Sequence, residues 1–129
     1  MQTAAEDQGS RPAVLLVDDE APLLDALRLG LLHEFEVDTA ASAEEAALLL
    51  GTRRYAVIVC DQLLPGEQGL EFLIRLSERA GAPQRILLTG YINPELLSRS
   101  ISLARLSACL IKPVNHAELV AALRNAIKG

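Results

Sequence analysis

The chain has 129 residues, half of them apolar, and a formal net charge of −5, enough for one domain with its own core and without disulfide or metal staples. An acidic chain without clustered Lys and Arg lacks the surface that nucleic-acid phosphates require, so no direct nucleic-acid partner is expected. No apolar run approaches the roughly 18 residues of a membrane span, and the opening MQTAAEDQGSR has no signal-peptide pattern; a cytoplasmic protein with no membrane partner is expected.

Residues 1–11 are polar or small and are expected to form a mobile N-terminal tail, leaving 12–129 as the domain. Ala13 to Val17 (AVLLV) is the first strand, followed by Leu24, Leu27 and Leu31 at helical spacing. Phe35 to Ala40 is the second, after which Ser42 and Glu45 have capping-box spacing ahead of a helix with Ala46, Ala47 and Leu50. Tyr55 to Cys60 is the third, followed by Phe72, Leu73 and Leu76. Arg85 to Thr89 is the fourth; Asn93 then caps a helix that opens on Pro94 and carries Leu97, Ile101 and Ala104. Ala108 to Ile111 is the fifth, and Asn115 with Glu118 repeats the capping box before Leu119, Leu123 and Ile127. Strands as continuously apolar as AVLLV and AVIVC are buried on both faces, as in a parallel sheet between two helical layers.

The chemistry-bearing residues fall at strand ends. Asp18 and Asp19 follow the first strand, Asp61 the third, Thr89 ends the fourth and Lys112 follows the fifth. In an open parallel sheet these ends share one rim, and ligands bind in the crevice there. Each like-charged carboxylate pair at about 4 Å and an effective dielectric of about 20 is unfavourable by about 4 kcal/mol, so the cluster invites a cation. Oxygen-only donors on a shallow rim suit Mg²⁺, or Mn²⁺ in its place, better than a closed calcium cage. Lys112 offers a point charge to a phosphoryl oxygen and Thr89 a hydroxyl hydrogen bond to another. Taken singly, each of these residues is more ordinary: an acidic helix start, a strand-end turn, a loop hydroxyl, a surface charge. His33 and His116 have no partner at ligand spacing and are read as surface residues.

The segments LLVDDE, VIVCDQLLPGEQG, ILLTGY and CLIKP, in that order over about residues 12 to 127, resemble the receiver domain of two-component response regulators. The resemblance implies a flavodoxin-like (βα)5 fold with a five-stranded parallel sheet in the order 2-1-3-4-5 and helices on both faces. It implies that Asp61 is phosphorylated from a histidine kinase or phosphotransfer protein. Mg²⁺ would be held by Asp19, Asp61 and the backbone carbonyl of Leu63, with Asp18 acting through a water. Lys112 would pair with the phosphoryl group and Thr89 would move toward it. Such a protein is a signalling switch that catalyses only its own phosphorylation and dephosphorylation. Pro65-Gly66 and Gly69 shape the loop after Asp61, Gly90 keeps bulk away from the phosphoryl group, and the bond joining Lys112 to Pro113 is commonly cis in the family.

Two features depart from or specialise the pattern. Cys109 stands where the family usually has Tyr or Phe, so the aromatic relay is absent, and Tyr91 is a candidate to cover the space. Leu63 and Tyr91, both bulky, flank the phosphoryl position and imply slow self-dephosphorylation. With the fourth strand between the third and fifth, a spacing of about 4.8 Å puts Cys60 and Cys109 roughly 10 Å apart, beyond the roughly 7 Å of a disulfide. Receivers commonly meet an output domain, a downstream protein or a second copy through the fourth helix, fifth strand and fifth helix, here with Leu96, Leu97, Ile101, Leu103 and Leu106. Rival readings are a hydrolase with an aspartyl-phosphate intermediate, which would want an acid at position 63, and an unphosphorylated docking module, which would have lost one of the site residues. Neither a Walker-type loop nor a glycine-rich phosphate turn follows the first strand.

Overall fold

The computed structural model describes residues 11–90 and 93–129, with side chains at all of these except 96, 97 and 100. Five strands, β1 (Ala13–Val17), β2 (Glu36–Ala40), β3 (Val57–Asp61), β4 (Gln84–Thr89) and β5 (Ala108–Ile111), alternate with five helices, α1 (Ala21–Leu31), α2 (Ala43–Leu50), α3 (Gly69–Ser77), α4 (Pro94–Ala104) and α5 (His116–Lys128). All neighbouring strands run parallel in the order β2-β1-β3-β4-β5, the flavodoxin-like (βα)5 arrangement.

Alternation along the central strands divides the core in two. Val14 and Leu16 of β1, Val57 and Val59 of β3, and Ile86 and Leu88 of β4 pack with α1 and α5. Leu15, Val17, Ile58, Cys60 and Leu87 pack on the opposite face with residues of α2, α3 and α4. Because helices cover both faces, the strands lose the polar-out pattern of a one-sided sheet, which is why they read as unbroken apolar runs.

Several boundaries shift from the sequence expectation. Phe35 remains in the core, but its N–H turns back to Leu31 O at 3.0 Å, so β2 starts at Glu36. Asp61 belongs to β3, paired with Leu88, and Gln84 opens β4. On α2 the core-facing residues are Ala43 and Ala46, while Ala47 is exposed; on α5 Ala126 is buried in place of Ile127. Asn115 and Glu118 form the full reciprocal cap, whereas Glu45 accepts from the N–H of Ala41 while Ser42 accepts from Glu45 N–H. Cys60, Leu87 and Cys109 lie side by side on three successive strands, and both cysteines are free thiols. Tyr91 and the tail residues 1–10 lie outside the described residues; Arg11 is described and donates to Leu32 O at 2.7 Å.

Candidate functional site

The chain leaves β1 for β2 on one side and later returns to β1's other side as β3, which opens a crevice at the carboxyl ends of β1 and β3. Val17 lies opposite Cys60, so the next residues, Asp18 and Asp61, emerge side by side. Carboxylate oxygens of Asp18, Asp19 and Asp61 lie within 4.8 Å of one another. Asp18 and Asp61 are only 2% and 5% exposed, while Asp19 faces solvent.

Lys112 arrives from the end of β5, where its N–H donates to Thr89 O at 2.9 Å. Its ammonium donates to Asp18 Oδ2 at 2.9 Å and lies 3.3 Å from Asp61 Oδ1 and 3.5 Å from Glu20 Oε1. Glu20 is a partner that sequence reasoning did not single out; it is also tied to the cluster through its own N–H, which donates to Asp18 Oδ1 at 3.0 Å. Thr89 ends β4 one position beyond the Asp61–Leu88 pair and is half-buried, and the Lys112–Pro113 peptide is cis. A groove of about 320 Å³ lined by Glu20, Leu23, Lys112, Pro113 and Val114 runs beside the cluster.

Burial, and then the charge of Asp18, pushes the Asp61 carboxyl above its ordinary value, with Lys112 opposing. Burial alone would lower the Lys112 ammonium, but the hydrogen bond to Asp18 and the charges of Asp61 and Asp18 outweigh it and hold it above the ordinary value. The cluster is therefore short of positive charge even with Lys112 in place, and its all-oxygen donor set suits a hard divalent cation.

The loop after Asp61 is fixed by close packing. Gly66 has φ +81°, and a Cβ on Gly69 would stand 2.1 Å from the Asp61 carbonyl oxygen, so only glycine lets α3 start against the strand end. Gln62, also unanticipated, accepts from Leu70 N–H at 2.8 Å and so caps α3. Leu63 projects from this loop, 72% exposed. Gly90 is exposed and a Cβ there would meet open space. Cys109 is half-buried against the α2–α4 layer, and burial raises its thiol above the ordinary value.

The fold and this rim together define a flavodoxin-like α/β domain with an acidic site at the carboxyl ends of its strands, and comparison with known proteins specifies the family. The model of the response regulator receiver domain matches residues 14–124. The hydrogenase transcriptional regulatory protein HoxA of Cupriavidus necator is 39% identical over 116 residues, which is 90% of this chain and 24% of that protein. Among solved structures, the signal receiver domain of an HD domain-containing protein from Pseudomonas fluorescens Pf-5 has a TM-score of 0.83 at 31% identity, covering 92% of this chain and 88% of that one. The chemotaxis response regulator CheY4 of Vibrio cholerae has a TM-score of 0.82 at 26% identity, covering 91% and 99%. The chain belongs to the response regulator receiver domain family of two-component signalling. It spans about a quarter of the length of HoxA. No helix among the described residues is long and apolar enough to cross a membrane.

Proposed function

We propose that this receiver takes a phosphoryl group onto Asp61 from a phosphohistidine of a histidine kinase or phosphotransfer protein. The observation that carries the reading is the convergence of Asp18, Asp19 and Asp61 on one edge with Lys112 reaching two of them. An Asp61 carboxylate oxygen attacks phosphorus, the P–N bond to the donor imidazole breaks, and the imidazole nitrogen keeps the bonding pair and is reprotonated. Mg²⁺, or Mn²⁺ in its place, when bound supplies charge neutralisation at the attacking and phosphoryl oxygens. Asp19, Asp61 and the Leu63 carbonyl would hold it, with Asp18 acting through a water.

Lys112, shared among carboxylates, would bind one phosphoryl oxygen, and the Thr89 hydroxyl would donate to another. Gly90 leaves that approach open, and the bulk of Leu63 shields the acyl phosphate from water, making self-dephosphorylation slow; Tyr91, the other bulky residue expected there, lies outside the described residues. With residues 1–11 as a tail, 12–129 act as a cytoplasmic switch rather than an enzyme on external substrates. The output domain, downstream protein or second copy meets it on the α4–β5–α5 face, where Ile101, Leu103 and Ile111 are exposed while Leu106 is buried; Leu96 and Leu97 lie outside the described side chains. Switching there proceeds without an aromatic at Cys109.

Incubation with acetyl phosphate and Mg²⁺, followed by intact mass, is expected to show one added phosphoryl group, absent in Asp61→Asn. Its decay reads the self-dephosphorylation rate. No added mass from acetyl phosphate or from a phosphorylated kinase would leave the docking-module reading in its place.

A further inference from the structure

Arg85 is the sole buried cation among the described residues, 8% exposed within the apolar run of β4. Its guanidinium meets carbonyl oxygens: Nε donates to Ala104 O at 2.8 Å, Nη2 to Arg105 O at 3.1 Å, and Nη1 to Pro83 O. Ala104 is the last residue of α4. Beyond it, Leu106 N–H returns to Ile101 O at 3.2 Å and Arg105 adopts φ 51°, the closed exit that usually calls for glycine. Carbonyls at a helix C-terminus have no partner inside the helix and carry the negative end of its dipole. Arg85 therefore caps α4 from a neighbouring strand, with charge-assisted bonds stronger than neutral ones.

The same place is fastened twice more. Ser107 N–H donates to Arg85 O at 2.7 Å and Ser107 Oγ to Gln84 Oε1 at 2.8 Å. Side chains alternate along a strand, so Arg85, Leu87 and Thr89 share the face that carries α4. The helix is thus attached at its C-terminal end to one point of β4, and its N-terminal end follows within a few residues of another, Thr89. Between them Ile101 and Leu103 are 44% and 58% exposed, whereas Ala104 is fully buried.

We propose that Arg85 is the pivot of α4: the C-terminal end of the helix stays fixed on β4, and a change at Thr89 tilts the helix about that end, so that displacement grows from Ala104 toward Pro94. This rests on the reading of Asp61 and Thr89 given above. A lever made of backbone and guanidinium takes the place of the ring that Cys109 does not provide.

Hydrogen exchange read by mass spectrometry on the whole chain in Mg²⁺, with and without beryllofluoride as the acyl-phosphate mimic, tests it. In the wild type, beryllofluoride is expected to change exchange several-fold in peptides covering 89–97 and less than about twofold in those covering 103–107. In Arg85→Met, exchange at 103–107 is expected to rise at least about tenfold without the mimic, as loss of hydrogen bonds to a charged group implies, and the response to the mimic spreads into 103–107. Arg85→Lys, which keeps the charge but not the fork, should fall between and carries the same comparison where the Met variant does not fold. A wild-type response as large at 103–107 as at 89–97, or unchanged exchange at 103–107 in both variants, overturns the pivot. No response anywhere in the wild type overturns the Asp61 reading and the pivot's switching role together, whereas failure of the pivot alone leaves the response at 89–97 intact.

Discussion

At the carboxyl end of β4, Thr89 follows the Leu88–Asp61 pair onto the rim where Asp18 and Asp61 share a single ammonium; at the amino end, Arg85 is bonded to neutral carbonyls alone. The first arrangement is unbalanced: burial and mutual repulsion already disfavour ionised Asp61, so an added cation changes its energy a great deal. The second is complete in hydrogen bonds, each guanidinium nitrogen donating to a carbonyl, although burial and the nearby Arg105 charge lower the guanidinium below its ordinary value. A strand whose one end shares an ammonium among carboxylates and whose other end is bonded in full to backbone can respond at the first while holding still at the second.

The largest effect is expected where the unbalanced end is held by shape. Gly69→Ala places a methyl against the Asp61 carbonyl oxygen, 2.1 Å away, and backbone has to move because neither partner is a flexible side chain. Urea unfolding should show a loss of about 3 kcal/mol or more, the upper range for overpacking. A loss under about 1 kcal/mol would mean that the loop carrying Leu63 is not held as closely as the geometry indicates.

Next comes the charge imbalance itself. At Mg²⁺ near a hundred times its dissociation constant, the wild type should gain about 2.7 kcal/mol of stability, and Asp61→Asn should lose most of that gain. In EDTA the same variant should melt above the wild type, because it removes a buried charge that repulsion and burial disfavour. A variant less stable than the wild type in EDTA would show that Lys112 more than compensates the cluster, and the contrast between the two ends would weaken.

At the amino end the remaining strain is local. Arg105 holds φ 51°, unfavourable for a residue with a Cβ by about 1–2 kcal/mol, and its charge stands near that of Arg85. Arg105→Gly should therefore stabilise the protein by about 1 kcal/mol in thermal or urea unfolding, since the backbone carbonyl that Arg85 uses is retained. Destabilisation would show that the Arg105 side chain contributes more than its backbone conformation takes away.

The unequal legibility of these two ends in the sequence has a physical cause. Asp18, Asp61, Thr89 and Lys112 were traceable because a parallel sheet puts every strand's carboxyl end on one rim, so strand ends alone bring them together. Glu20 was harder to see because its contact with Lys112 depends on how the chain turns into α1. Arg85 was invisible as an anchor: one basic residue at the start of an apolar run looks like a strand's solvated first residue. Its partners are backbone carbonyls, two of the three some twenty positions away, which carry no residue-type signature. The same holds for Ala46 over Ala47 and Ala126 over Ile127, where helix rotation, set by packing on the sheet, decided which neighbour is buried.

The smallest effect belongs to a pair at neither end of β4. Glu34, in the turn after α1, takes a bidentate bond from Arg124 of α5, with Nε and Nη2 each at 2.6 Å, and both side chains stand in solvent. The hydrogen bond from Arg124, with the charge of Arg124 adding to it, holds the Glu34 carboxyl below its ordinary value of 4.5. A carboxyl lowered in the folded state stabilises the fold above its unfolded pKa, and that contribution disappears as pH falls through the lower folded value. Glu34→Gln should therefore change stability slightly at pH 7, less in high salt, and should remove a small part of the loss seen below pH 4.5. Were its effect at pH 7 to match that of Arg105→Gly, solvent-exposed pairing would count as much as the conformation around the buried guanidinium, and the ranking drawn from the two ends of β4 would fail.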